Sequence, residues 1–293
     1  QGGRVVVAYP VGSPDLSESV SRLPGFTATL KDKYGVLMVD SIAELCAKVD
    51  AVMILSLDGR PHLEQAKEVM AFGKPLFVDK PVAATLKDIV ELYVLAEKLG
   101  VPVMSSSALR WYQGVVEVAA AKSSLPQAAI SWGPAPALPH HPDLFFYAIH
   151  ATEALFTVMG PGCEHVTRTT TPAESVVTGI WKGNRAGTLH ALHLLPMHSQ
   201  AYKLVRFDGE EVFEQKSQGD YTPMLREIVK FSETKTPPVS PAQTVEIYGF
   251  LQAAEESRLR GGVPVSIRDV LLQAGAPEAW LTPPPKVPVS EGR

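Results

Sequence analysis

Cysteine is scarce in this chain. Cys46 and Cys163 are the only two among 293 residues, which excludes a disulfide framework and leaves room for one bridge at most. So few cysteines suit a reduced compartment, and the expected location is the cytoplasm. A basic excess is lacking too. Lys and Arg number 27 against 31 Asp and Glu, a formal charge of −4, which argues against nucleic acid as a main partner. No apolar run approaches the roughly 18 residues of a membrane span, so no membrane partner is expected. Metal-site spacing is absent: His140 and His141 are adjacent and rarely face one ion, and His190 and His193 fall on opposite faces of a strand. The loop holding His140 and His141 reads as polar structure at a crevice mouth. No GxSxG elbow surrounds Ser105, Ser106 and Ser107, which read as turn and capping residues, so an unrelated hydrolase would lack its nucleophile. The opening "QGGRVVVAYP" has neither a signal peptide nor an initiating Met, and the natural N-terminus is expected further upstream.

What is present reads as two domains, since a chain of 293 residues exceeds the usual reach of one core. Residues 1–108 alternate strand and helix. The strands are "RVVVAY", "GVLMV", "AVMILSL", "PLFVD" and "VPVMSSS". Between them lie helices with start and stop signals, such as Ser41 and Thr85 as N-caps and the pair Pro61 and Gly73 at two ends of one helix. Strands without polar alternation, separated by helices, predict a doubly wound parallel α/β sheet. Residues 109–293 follow another grammar, with a helix at 144–159 and then the strands "SVVTGIWK", "AGTLHALHL" and "YKLVRFD" joined by short turns. That order predicts an α+β domain with an open antiparallel sheet, closed by a helix at 242–260 and followed by a tail too Pro-rich for an ordered element. The sheet is also the expected oligomer contact, because "AGTLHALHLL" is apolar on both faces.

The apolar run Leu76-Phe77-Val78 ends abruptly in Asp79, Lys80 and Pro81. In a doubly wound sheet, ligands bind beyond the carboxyl ends of the strands, so Lys80 is predicted to point into a crevice. Arg110 leads from the first domain into the second, where it could reach a substrate oxygen or form an interdomain salt bridge.

The stretch from "VDAVMILSLDGRPHLEQ" through "PLFVDKPVAATL" to "AEKLGVPV" resembles the glucose–fructose oxidoreductase and inositol dehydrogenase family, Gfo/Idh/MocA. In that family a strand runs through a short turn into a His that opens a helix, matched here from Leu57 to His62. The next strand ends in Glu-Lys-Pro, matched by Asp79-Lys80-Pro81. The segment from "MLREIVKFSE" to "GGVPVSI" is similar to the family's closing portion. The resemblance implies a Rossmann domain for NAD or NADP and an oxidoreductase acting on a sugar, cyclitol or related polyol. It implies cofactor contacts from Ser13, Ser56, Leu57, His62, Asp79, Lys80 and Pro81. Lys80 and His150 are the implied catalytic pair, with Arg110 and Asp143 beside the substrate. His150 would take the hydroxyl proton, and Lys80 would stabilise the oxygen as hydride leaves.

Two departures qualify this. No GxGxxG is present, and "RVVVAY" aligns with the family's second strand, so about 30 residues, one βα unit, are expected to be absent before Gln1, either removed or never there. These residues are expected to bind the dinucleotide weakly without that cradle. The ribose position offers Ser13 and Asp15, which leaves NAD and NADP both open. Further on, the family carries an Asp four residues before the His, where this chain has Phe146. Glu153 matches an acid three residues after it. The alternatives are a non-catalytic sugar-binding or scaffold relative, or one that uses transient oxidation to eliminate or hydrolyse.

Overall fold

The structure, a computed structural model, describes residues 2–281 other than Pro139. The predicted Pro-rich tail therefore lies, from residue 282 on, outside the described residues. The first half alternates strands β1 (Val7–Ala8), β2 (Leu37–Met38), β3 (Val52–Ile54), β4 (Leu76–Val78) and β5 (Val103–Met104) with helices. Those helices are α1 (Ser17–Val20), α2 (Leu23–Ala28), α3 (Ile42–Cys46), α4 (His62–Met70) and α5 (Leu86–Leu99). A π-helical turn at Thr29–Lys33 extends α2, a stretch the sequence pattern did not reveal. All strand pairs here are parallel, as expected. They form two sheets, β1-β2 and β3-β4-β5, and no strand joins β1 to β3 among the described residues.

Local chemistry explains these elements. Thr85 Oγ1 accepts from the Asp88 amide to open α5, and Gly100 closes it in the left-handed region at φ 65°. Leu76, Phe77 and Val78 are fully buried on β4, the middle strand of its sheet.

A 3-10 turn at Ala108–Trp111 leads into the second half. Next come α6 (Gln113–Ala120), β6 (Ala128–Pro134), α7 (Ala148–Met159), β7 (Cys163–Thr170), β8 (Glu174–Trp181), β9 (Arg185–Leu192), β10 (Lys203–Asp208) and β11 (Glu211–Glu214). The chain then forms α8 (Thr222–Thr234), α9 (Pro241–Leu259), β12 (Val265–Ser266) and α10 (Ile267–Gln273). Seven strands make one sheet in the order β11-β10-β6-β9-β8-β7-β12. It corrects the antiparallel expectation in one place. β6 and β9 run parallel, because two intervening strands bring the chain back in the direction of β6, so the sheet is mixed and mostly antiparallel. The closing helix is observed as α9, close to its predicted bounds.

The sheet's inner face packs on α7 and α9 through Trp181, whose ring centroid lies 5.3 Å from Phe156 and 6.0 Å from Phe250. Gly179 and Gly187 pair across β8 and β9, and a Cβ on either would stand 2.6 Å from the indole. Their missing side chains are the space the tryptophan occupies.

Helix α7 corrects a second expectation. It starts at Ala148, not at 144, because residues 143–147 form turns, with the Phe145 amide donating to the Pro142 carbonyl. Phe146 therefore lies outside the helix and is not one helical turn below His150.

Candidate functional site

Lys80 leaves the end of β4 and meets the turn before α7. Its Nζ donates to the Phe146 carbonyl at 3.2 Å and lies 4.8 Å from the Phe146 ring centroid and 4.5 Å from that of Tyr147. Two aromatic faces attract the ammonium without supplying a counter-charge. Burial then lowers the Lys80 pKa to about 8, with Asp79 partly opposing. Asp79 itself is pushed up by burial, against the pull of Lys80. Pro81 follows through a cis Lys80–Pro81 peptide bond.

His150 stands on the first turn of α7, with its ring centroid 5.0 Å from Tyr147 and 5.9 Å from Tyr202. Tyr147 thus lies against both Lys80 and His150. Burial and the nearby Lys80 hold the imidazole well below its ordinary pKa, so it is neutral near pH 7. Its Nδ1 lies 2.6 Å from Ser107 Oγ. Tyr147 and Tyr202 are raised by burial, Tyr147 to about 12, so both phenols stay protonated near neutrality. Lys80, His150 and these two phenols thus cluster around the start of α7.

A second group lies at the ends of β1 and β3, around a cleft of about 390 Å³ lined by Ser13, Asp15, Ser56, Asp58, Arg60 and Gln65, among others. Arg60 joins its walls. It donates to both oxygens of Asp58 at 2.9 and 3.0 Å and to both oxygens of Asp15 at 2.8 and 2.9 Å. Ser13 Oγ donates to Asp58 in a short bond. Burial pushes the Asp58 pKa up, but the bonds from Arg60 and Ser13 outweigh it and bring the value to about 2. The loop before α7 reaches this group as well: the Gly59 amide donates to His141 Nε2 at 3.1 Å.

The other predicted residues fall into place around these two groups. His62 is fully buried at the start of α4, its Nδ1 2.9 Å from the Pro81 carbonyl and its Nε2 3.0 Å from Ser56 Oγ. It ties the turn after β3 to the turn after β4, and burial keeps it neutral. Leu57 packs beside the small cluster of Leu16, Leu138 and Phe146. Arg110 forms a buried ion pair with Glu153 of α7, within the second half, and its Nη2 has no hydrogen-bond partner among the described residues. Asp143 is not beside His150. Its carboxylate is held by Arg168, which also binds Glu255 at 3.0 Å and Ser175. The later helix start frees Asp143 from α7, but the guanidinium claims it.

Asp58, Arg60, Ser107, Tyr147 and Tyr202 were not singled out as site residues in the sequence. Asp58 and Arg60 did carry a signal, since opposite charges two residues apart at a strand's carboxyl end occupy the place where ligands bind.

The fit to a dinucleotide is uneven. The carboxylate and hydroxyls of Asp15, Ser13 and Ser56 suit ribose hydroxyls. For a pyrophosphate the cleft offers only Arg60, already neutralised by two carboxylates, and α1 carries no side-chain cap and has Glu18 in its first turn.

Residues 16–107 match the family model described as "Oxidoreductase family, NAD-binding Rossmann fold", GFO_IDH_MocA. No curated protein matches. Among solved structures, scyllo-inositol dehydrogenase from Lactobacillus casei is 12% identical with a TM-score of 0.72, covering 90% of each chain. GenD2 from gentamicin A biosynthesis, solved in complex with NAD, is 15% identical with a TM-score of 0.72, over 91% of this chain and 98% of that one. An oxidoreductase from Agrobacterium radiobacter, in complex with NAD+, L-tartaric acid and magnesium, is 15% identical with a TM-score of 0.67, over 85% and 90%. At these identities the likeness is one of fold. Residues 16–107 are thus similar to the NAD-binding Rossmann domain of the Gfo/Idh/MocA oxidoreductases, and the chain shares its fold with these solved structures.

Proposed function

We propose that this protein oxidises or reduces a sugar, cyclitol or related polyol with NAD or NADP, using Lys80 as the acid–base group and His150 as its partner at the reacting oxygen. The observation that carries this is the environment of Lys80. A lysine held near 8 between two aromatic rings divides between amine and ammonium close to neutral pH, where proton transfer is most effective. His150 is held too low to be the stronger base, which moves the proton-accepting role from the histidine expected in sequence to the lysine. The bound nicotinamide supplies a hydride acceptor or donor. The chain's residues do the rest. Lys80 takes the hydroxyl proton or returns it, His150 bonds the same oxygen, and Tyr147 and Tyr202 offer ring faces for the carbon skeleton. Asp15 and Ser13 would hold ribose hydroxyls at the cleft.

The test is turnover, followed by the absorbance of reduced nicotinamide, against a panel of inositols and aldoses with each cofactor. At least one polyol should react, and Lys80→Ala should abolish most of that rate. The second reading, a sugar-binding relative without catalysis, is favoured by one observation: the hydrogen-bond partner of the His150 ring is a hydroxyl and not a carboxylate. Polyol binding with no turnover on the whole panel would select it.

A further inference from the structure

We propose that Ser107 is the positioning residue of His150, its hydroxyl giving its proton to Nδ1 so that the imidazole presents Nε2–H, a donor, to the crevice. This rests on the reading of Lys80 and His150 as the reactive pair.

The argument is a count of protons and lone pairs. Ser107 Oγ caps the 3-10 turn that begins at Ala108, accepting from the Leu109 amide at 3.1 Å. That bond fixes the oxygen and occupies one lone pair. The hydroxyl proton then has one acceptor among the described residues, His150 Nδ1 at 2.6 Å. Ser107 is 1% exposed, so solvent does not offer another. The reverse arrangement, Nδ1–H donating to Oγ, would leave a buried hydroxyl proton with nothing to bond. A neutral imidazole carries one N–H, and accepting at Nδ1 puts it on Nε2. No protein group among the described residues bonds Nε2, while the rings of Tyr147 and Tyr202 stand edge-on to the imidazole. An unpartnered N–H beside the Lys80 ammonium is placed for a substrate oxygen.

The arrangement answers the missing acid at Phe146. A carboxylate on Nδ1 would orient the ring and raise its basicity, whereas a serine hydroxyl orients it and leaves it a weak base. The resting site is thus set to bond an oxygen by donation, and the base has to come from elsewhere.

Long-range proton–nitrogen correlation of the imidazole rings, recorded on the 293-residue protein near neutral pH, tests this without substrate or cofactor. His150→Gln identifies the His150 signals by their disappearance. Wild type and Ser107→Thr, which keeps the hydroxyl, should show the Nε2–H tautomer. Ser107→Ala should shift the ring to a mixture or to Nδ1–H. An Nδ1–H tautomer in wild type would overturn the proposal, as would a folded Ser107→Ala with the wild-type tautomer. If Ser107→Ala does not fold, the wild-type spectrum decides alone. Failure of the functional reading would look different, as full turnover in Lys80→Ala, and would leave the tautomer where it was found.

Discussion

Lys80 and Phe146 meet twice, the ammonium donating to the Phe146 carbonyl at 3.2 Å while lying 4.8 Å from the centre of its ring. Phe146, where the resemblance implies an acid, is an aromatic floor, so the lysine is desolvated without being paired. Its low pKa follows.

Lys80→Ala should lower turnover by a factor on the order of hundreds, as for loss of one preorganised group. The fold should survive, because the lysine side chain makes one hydrogen bond and no ion pair among the described residues. Steady-state rates and a circular dichroism melt check both halves. A variant that unfolds would make the residue structural.

The pH dependence should carry the Lys80 pKa of about 8. Oxidation needs the amine, so kcat/KM for the alcohol should rise as pH passes through about 8. Reduction needs the ammonium and should fall over the same range. Lys80→Arg should flatten both limbs. The linkage to stability has one sign. A lysine whose folded pKa lies below its ordinary 10.5 costs stability fully below about 8 and less as pH climbs towards 10.5. Wild type should therefore gain stability across that window more steeply than Lys80→Met.

Phe146→Asp should not create a better catalyst. The resemblance implies an acid at this position that would give His150 a partner. In the structure, however, Phe146 is fully buried and lies outside α7. Removing its ring costs about 3–5 kcal/mol before any charge is buried. Chemical denaturation should show that loss, with activity falling as well.

Asp58 should carry an acid limb of stability. Its pKa is lowered to about 2, so its contribution is complete above about 4 and is lost as pH falls towards 2. Asp58→Asn should cost on the order of 2 kcal/mol at neutral pH and flatten unfolding in that acid window. Guanidinium titrations at several pH values would show it.

The outer face of the large sheet is expected to pair with a second copy. It carries Ile180, 40% exposed, with Ile130, Trp132 and Val205 partly open beside it. Light scattering at micromolar concentration should find an oligomer, and a monomer would count against the contact.

The grammar of strand ends made Lys80 and the parallel first domain readable, since an apolar run that breaks into Asp79-Lys80-Pro81 marks where a buried strand leaves its sheet. The proposed role of His150 came from the resemblance. The histidine's partner was not readable, because Ser107 and His150 are 43 residues apart and meet only once α7 docks on the turn after β5. Ser13 and Asp58 are likewise 45 residues apart, and each looks ordinary alone. The parallel pairing of β6 with β9 escaped for a similar reason: short turns reveal which strands are consecutive, not which are neighbours.

Arg168 gives the site a property of its own. One buried guanidinium binds Asp143 at the entrance to α7, Glu255 on α9 and Ser175 on β8. The segment that carries Phe146, Tyr147 and His150 is therefore tethered at its start to both the sheet and the closing helix. Its conformational entropy is lost when the chain folds and not when substrate arrives. Binding need not order this wall of the crevice, and the rings around Lys80 can keep their spacing through each turnover.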